Sequence, residues 1–200
     1  MKKQKNVLVM SGFYLPGFRG GGPIRTIANI IDQLGREIKF SVVTGDRDLG
    51  EPAPYPGIEL GDWNNVGNAH VFYLPPGMAG AWLLLRLLMK FSGEYIYINS
   101  FFSFRFSILP VFLWRLVGRG RPILLAPRGE FSEGALTIRG KKKRFFVALG
   151  KIFGFYRNVI WHASTEYEAD DIRRIMGDHC EVRTATNISR PPLELNLAKI

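Results

Sequence analysis

Two hundred residues with a formal net charge of +10 and 46% hydrophobic content suit one large domain, or a tight pair, with enough apolar surface for a real core. The single cysteine, Cys180, excludes an internal disulfide and a cysteine metal cluster, and it fits a reducing cytoplasm. The whole charge imbalance sits in one stretch: residues 105–157 hold twelve Lys/Arg and two acids, while the remainder has fifteen of each.

The basic start Met1–Lys5 leads only into the short run Val7–Met10, too short for a signal core. That run reads as a strand. It feeds the loop Ser11–Thr26, SGFYLPGFRGGGPIRT, whose three glycines Gly20, Gly21 and Gly22 precede Pro23. Ile24, Ile27, Ala28, Ile31 and Leu34 then recur at helical spacing, so 23–34 reads as a helix with Gly35 as its stop. Strand, glycine loop and helix start together suit a phosphate or another oxygen-rich ligand, because backbone N–H groups can approach it and the helix dipole favours it. Gly-x-Gly-x-x-Gly and Gly-Lys-Ser/Thr are both absent, which disfavours the dinucleotide fingerprint and the nucleotide-hydrolase phosphate loop.

Further strands are expected at 40–44, 70–74, 95–99, 123–126, 159–163 and 181–184. Helices are expected at 79–91, 104–117, 139–157 and 166–176. Residues 45–68 lack periodicity, carry Pro52, Pro54 and Pro56, and read as a long loop. The apolar stretches 79–91 and 101–117 are interrupted by Arg86, Lys90, Arg105, Pro110 and Arg115, so neither reads as a membrane span, which needs about 20 mostly apolar residues. Thr165 and Glu168 match a capping box, with Gly177 as the stop. The expected fold is α/β: a Rossmann-like, doubly wound, mostly parallel sheet of about seven strands with helices on both faces. Residues 1–186 form the domain, and 187–200 read as the start of a linker or a tail.

Four segments, in order, carry a resemblance: the Gly20–Pro23 loop; Val42-Val43-Thr44-Gly45-Asp46-Arg47-Asp48; Ala126-Pro127-Arg128-Gly129-Glu130-Phe131 with Gly134-Ala135-Leu136 and the run Lys141–Arg144; and His162-Ala163-Ser164-Thr165-Glu166-Tyr167-Glu168. Over residues 6–190 the chain resembles the N-terminal, acceptor-side half of a family-4 glycosyltransferase of the GT-B fold. The resemblance implies a retaining enzyme that transfers a hexose from a nucleotide diphosphate sugar to a glycan or lipid-linked acceptor, in bacterial surface polysaccharide or lipopolysaccharide assembly. It implies no cofactor beyond that donor. The family's donor domain, with its Glu, seven residues, Glu motif, lies C-terminal to this half. No such motif occurs here, so the chain is expected to be inactive alone and to need that second domain.

By that resemblance, Gly20, Gly21 and Gly22 would contact substrate, with Arg25 in the following helical turn and Asn99 and Thr165 at strand ends. Arg128 and Glu130, just past a strand's C-terminal end, are the candidate catalytic pair: an arginine can pair a phosphate, and a carboxylate can orient or deprotonate a hydroxyl. Many family members have a histidine in this loop, where Arg128 stands. The bland readings are a structural Arg–Glu pair and a strand-closing Asn99. Asp46 and Asp48 formally match an Asp-x-Asp metal signature, but the expected fold class generally needs no metal. His70, His162 and His179 show no ligand spacing and read as structural or surface groups.

The helix at 139–157 pairs a stripe of Phe145, Leu149, Ile152, Phe153 and Tyr156 with Lys141–Arg144, Lys151 and Arg157. Such a helix suits an anionic membrane surface, giving a cytoplasmic protein peripheral to the inner face of the plasma membrane. No nucleic-acid module is recognisable, so nucleic acid is not an expected partner. Two other readings compete: a non-catalytic membrane-surface module that binds a glycan or a partner protein, and an unrelated Rossmann-like nucleotide binder.

Overall fold

The computed structural model describes residues 4–118, 120–137 and 140–189. Val/Ile/Leu-rich runs form the strands β1 (Lys5–Met10), β2 (Ile38–Gly45), β4 (Ala69–Leu74), β5 (Tyr95–Ile98), β6 (Ile123–Leu125) and β7 (Val159–Ala163), and the short strands β3 (Trp63–Val66) and β8 (Glu181–Thr184) close the edges. The order across the single sheet is β3-β4-β2-β1-β5-β6-β7-β8. Every neighbour pair is parallel except β3 with β4. The chain first winds from β1 outward through β2 and β4, then returns to the other side of β1 at β5. The boundary between β1 and β5 is therefore the point where the winding reverses, and ligands of open α/β sheets bind there, past the strands' C-terminal ends.

The described residues form eight strands, not about seven. The extra one, β3, lies inside the stretch expected to be loop. Gly67, at φ 57, and Asn68 make the two-residue connection to β4. A left-handed backbone there suits glycine, and a short Gly-Asn link between two strands is a hairpin turn.

The helices are α1 (Gly22–Leu34), α2 (Gly77–Lys90), α3 (Leu109–Val117), α4 (Glu133–Thr137), α5 (Gly140–Ile152) and α6 (Glu166–Met176). A π-helical turn at Phe104–Ile108 precedes α3, and the Ser103 side chain caps it by accepting from the Phe106 N–H. The two sheet faces are unequally covered. On one face α1 buries Ile27 and Ile31 against Val9, Val42, Val71, Tyr73 and Tyr97. On the other, α2, α3, α5 and α6 share a larger core around Phe101, Trp114, Phe131 and Trp161. Phe101 lies within 4.7 Å of Phe131 and 4.8 Å of Tyr156, centroid to centroid, in the range favoured by aromatic pairs.

The expected 139–157 helix differs in extent and in facing. Residues 138 and 139 lie outside the described residues, as do the side chains of Lys141 and Lys142. The helix ends at Ile152, and Gly154 turns the chain at φ 64. Of the expected apolar stripe only Tyr156 is buried and Leu149 half-buried; Phe145, Ile152 and Phe153 are 66%, 76% and 66% exposed. Phe146 and Val147 take the core side instead. No described helix is long and apolar enough to cross a membrane.

Candidate functional site

The C-terminal ends of β1, β2, β5, β6 and β7 bring the expected residues to one edge of the sheet. Its centre is Arg128, in the loop after β6. Arg128 has φ 57 and Gly129 φ 77, two consecutive left-handed residues. Glycine accepts that geometry, whereas an arginine costs roughly 1–2 kcal/mol more. The side chain is held firmly in return. Its Nε and Nη2 donate to Asn99 Oδ1 at 3.2 and 2.6 Å, and Nη2 also donates to the Tyr97 hydroxyl at 2.7 Å. Nη1 donates to Asn187 Oδ1 at 2.6 Å.

Asn99 follows β5 directly and is only 4% exposed. Its oxygen faces Arg128, and its buried Nδ2 has no hydrogen-bond partner among the described residues. An orphaned buried donor is uncommon and calls for an acceptor. Besides closing the strand, Asn99 holds the Arg128 guanidinium through its side-chain oxygen.

Tyr97 and His162 complete the cluster, and neither was expected in it. The Tyr97 hydroxyl is 2.7 Å from His162 Nδ1, and His162 Nε2 is 2.9 Å from the Ala185 carbonyl oxygen. A carbonyl only accepts, so Nε2 carries the proton and Nδ1 accepts from Tyr97. Burial pushes the Tyr97 hydroxyl up to about 12, against a lowering by Arg128, so the phenol stays protonated. The sequence signal was faint: Tyr97 alternates within a strand-like YIYI, and His162 lies 65 residues away.

Glu130 takes a different place from the one expected. Its Oε1 accepts from the Ser100 hydroxyl at 2.9 Å, and its Oε2 accepts from the N–H groups of Phe101 at 2.5 Å and Phe102 at 3.0 Å. Both oxygens tie the β6 loop to the turn after β5. No Arg128–Glu130 ion pair forms among the described residues. Glu130 positions the loop, and the cation alone is presented.

Thr165 caps α6: its hydroxyl accepts from the Glu168 N–H at 3.1 Å. Glu168 reaches back one residue further than a capping box requires, to the Ser164 N–H and hydroxyl at 2.8 and 2.7 Å. Its other oxygen accepts from the Gly129 N–H at 2.7 Å. Burial would raise the Glu168 carboxyl, but these bonds and the Arg128 charge outweigh it and hold the group below the ordinary carboxylate range. One buried carboxylate thereby fixes the left-handed Arg128–Gly129 turn to the start of α6.

The three glycines of the loop after β1 differ in what requires them. A Cβ on Gly20 would stand 2.7 Å from Phe13 Cβ, so close packing explains it. Gly21 caps α1 at φ 69 and ψ −134, a backbone that glycine alone adopts readily. Gly22 has ordinary φ and open space where a side chain would be. Asp48 anchors the approach: its carboxylate accepts from the N–H groups of Phe18, Arg19 and Leu49 at 2.9, 3.1 and 2.8 Å. Burial opposes ionisation there, yet the three backbone bonds win and keep the carboxyl below its usual value. Asp46 instead pairs with the neighbouring Arg47, Oδ1 to Nε at 2.8 Å. The Asp-x-Asp carboxylates thus have other partners, and no group of three or more potential metal ligands occurs among the described residues. Arg25 is exposed, with no hydrogen bond or ion pair among the described residues.

Residues beyond β8 cross back over this edge. Ala185 meets His162, Asn187 meets Arg128, and the carbonyls of Ile188 and Ser189 accept from Asn29 and Gln33 of α1 at 2.9 and 2.8 Å. The start of the expected linker is therefore a strap joining the Arg128 cluster to α1, and residues 190–200 lie outside the described residues.

No protein-family model matches the chain, and no curated protein matches it.

Proposed function

We propose that this chain is the acceptor-side half of a retaining, nucleotide-sugar-dependent GT-B glycosyltransferase of bacterial surface polysaccharide or lipopolysaccharide assembly. The observation that carries the reading is Arg128. A cation is kept at a left-handed position that favours glycine, beside the orphaned amide of Asn99, where the winding of the sheet reverses. A strained residue retained with a well-held side chain points to a job for that side chain. A guanidinium, an unpartnered amide N–H and an open helix start suit phosphate oxygens and sugar hydroxyls. The nucleotide diphosphate sugar would be bound mainly by a C-terminal domain, with which this half would form the catalytic cleft.

Calorimetry on the isolated chain tests the reading, with UDP, GDP, their sugars and an undecaprenyl-diphosphate-sugar analogue. The expected result is binding of the lipid-linked analogue, lost in Arg128→Gly, with little nucleotide affinity. Tight nucleotide binding without acceptor affinity would put the unrelated nucleotide binder in its place.

A specific observation also favours a peripheral, inner-leaflet position, which the non-catalytic membrane-surface reading shares. The rings of Phe112, Phe155 and Phe153 run together on the helical side at 6.2 and 5.8 Å, with Phe112 and Phe153 well exposed. Arg115, Arg144, Lys151 and Arg157 lie on the same segments. Apolar surface bordered by cations suits anionic lipid. Co-sedimentation with phosphatidylglycerol vesicles, but not with phosphatidylcholine vesicles, is the expected outcome; equal recovery with both would remove the electrostatic part of this reading.

A further inference from the structure

At the opposite end of the sheet, under the second half of α2, lies a cavity of about 460 Å³. Its floor is the face of β1, β2 and β4 that elsewhere carries Leu8, Met10, Val43 and Leu74. Here polar groups interrupt that apolar face. Ser41 stands in register with His70 across the β2–β4 pair, and Asn6 with Lys39 across β1–β2. Small or polar side chains replace core-filling ones, so α2 cannot seal against the sheet. Trp63 closes one side and packs edge-on against Phe72 at 5.3 Å.

Three cations line this cavity: Lys39 from β2, and Arg86 and Lys90 one turn apart on α2. None of them forms an ion pair, and no acidic side chain lines the cavity, among the described residues. Like charges four apart on a helix destabilise it, and a third cation facing them adds to the repulsion. Folding gains nothing visible from the arrangement. The Asn6 Oδ1 buried in the wall behind it has no hydrogen-bond partner among the described residues, so the polar wall is not fully satisfied from within. The Ser41 residue, only 5% exposed, adds a hydroxyl to the same wall.

We propose that this cavity binds an amphipathic phosphate monoester: the phosphate between Lys39, Arg86 and Lys90, and an apolar body against Phe72, Leu87 and Trp63. Apolar walls with a few convergent polar groups are the usual make-up of a small-ligand site, and the volume lies in its usual range. The site is separate from the Arg128 edge, since Asn6 and Lys39 lie at the N-terminal ends of strands whose C-terminal ends carry the glycine loop and Asp48. It stands whether or not the chain serves a glycosyltransferase.

The test is calorimetry on the full chain with octyl phosphate below its micellar concentration, beside octanol, inorganic phosphate and octyltrimethylammonium. Octyl phosphate is expected to bind, and each control to bind at least about tenfold more weakly: octanol and octyltrimethylammonium lose the charge-assisted contacts, and inorganic phosphate loses the burial of the apolar chain. The exposed double variant Arg86→Gln/Lys90→Gln should lose at least about tenfold in affinity without a fall in melting temperature, which relief of the like-charge repulsion should leave equal or slightly raised. A Phe145→Ser/Ile152→Ser variant, altered on the exposed apolar face, should bind octyl phosphate as before. Competition by dioleoyl phosphatidate vesicles would make the natural source a lipid headgroup; lack of competition would make it a soluble amphiphile. Equal binding of octyltrimethylammonium, equal binding of inorganic phosphate, or an unaffected Arg86→Gln/Lys90→Gln variant would each overturn the proposal.

Discussion

The Tyr97 hydroxyl donates to His162 Nδ1 across 2.7 Å while accepting from Arg128 Nη2 at the same distance. This directional chain requires a neutral imidazole. Burial, with help from the Arg128 charge, lowers the His162 pKa below its ordinary 6.5, although the hydrogen bond to the Ala185 carbonyl and the Glu168 charge both favour the protonated ring. Because the folded value is lowered, the unfolded chain binds more protons between the two values. Stability from this group is complete above about pH 6.5 and is lost as pH falls through the folded-state value. NMR titration should place the His162 midpoint below 6.5, and His162→Gln should flatten the urea stability profile in that interval. A midpoint above 6.5 would contradict the assigned proton arrangement.

Glu168 should dominate a second, more acidic transition, together with Asp48. Both carboxyls are held below their ordinary values of 4.5 and 3.8, so their contributions are full above those values and disappear as pH falls through the lowered ones. Glu168→Gln offers one oxygen to three converging donors, from Gly129 and Ser164. Leaving buried donors unmet should cost about 1–3 kcal/mol in urea denaturation. A cost well under 1 kcal/mol would mean that the Arg128–Gly129 turn does not depend on this anchor.

The strongly periodic parts of the fold were legible: 159–163 and 166–176 are the strand and helix that the pattern predicts. What failed was local and weak. β3 is Trp-Asn-Asn-Val, an edge strand with two poor strand formers, betrayed only by Gly67-Asn68. The 139–157 stripe differs from its helical pattern because Phe145, Phe146 and Val147 are adjacent, and periodicity alone cannot say which of three apolar neighbours turns inward. At the site, Arg128 and Asn99 could be placed at strand ends from the sequence. Tyr97 and His162 could not, because β6 lies between their strands in space and 65 residues separate them in the chain.

Gly21 and Gly22 separate folding from binding. Substitution of Gly21 by Ala finds open space but a backbone that L side chains rarely adopt, so it should destabilise by about 1–3 kcal/mol. Gly22→Leu has neither a clash nor a positive φ, and its stability should change by no more than about 0.5 kcal/mol. If the helix start contacts the lipid-linked analogue, Gly22→Leu should nonetheless abolish its binding. Retained affinity in a folded Gly22→Leu protein would remove the glycine loop from the binding surface.

The strap makes the sharpest prediction about Arg128. Asn187 Oδ1 takes an N–H of Nη1, the guanidinium nitrogen that neither Tyr97 nor Asn99 engages. An anion pairing with both ends of the guanidinium must displace it. Asn187→Ala, at an exposed position, should therefore raise affinity for the acceptor analogue by up to about tenfold, or 1.4 kcal/mol, with little change in melting temperature. Arg128→Gly should do the reverse. It removes the cation while relieving the left-handed strain, so lost hydrogen bonds are partly offset and the fold survives without binding. If Asn187→Ala weakens binding instead, the strap is part of the binding surface, with the Asn187 side chain as a ligand contact.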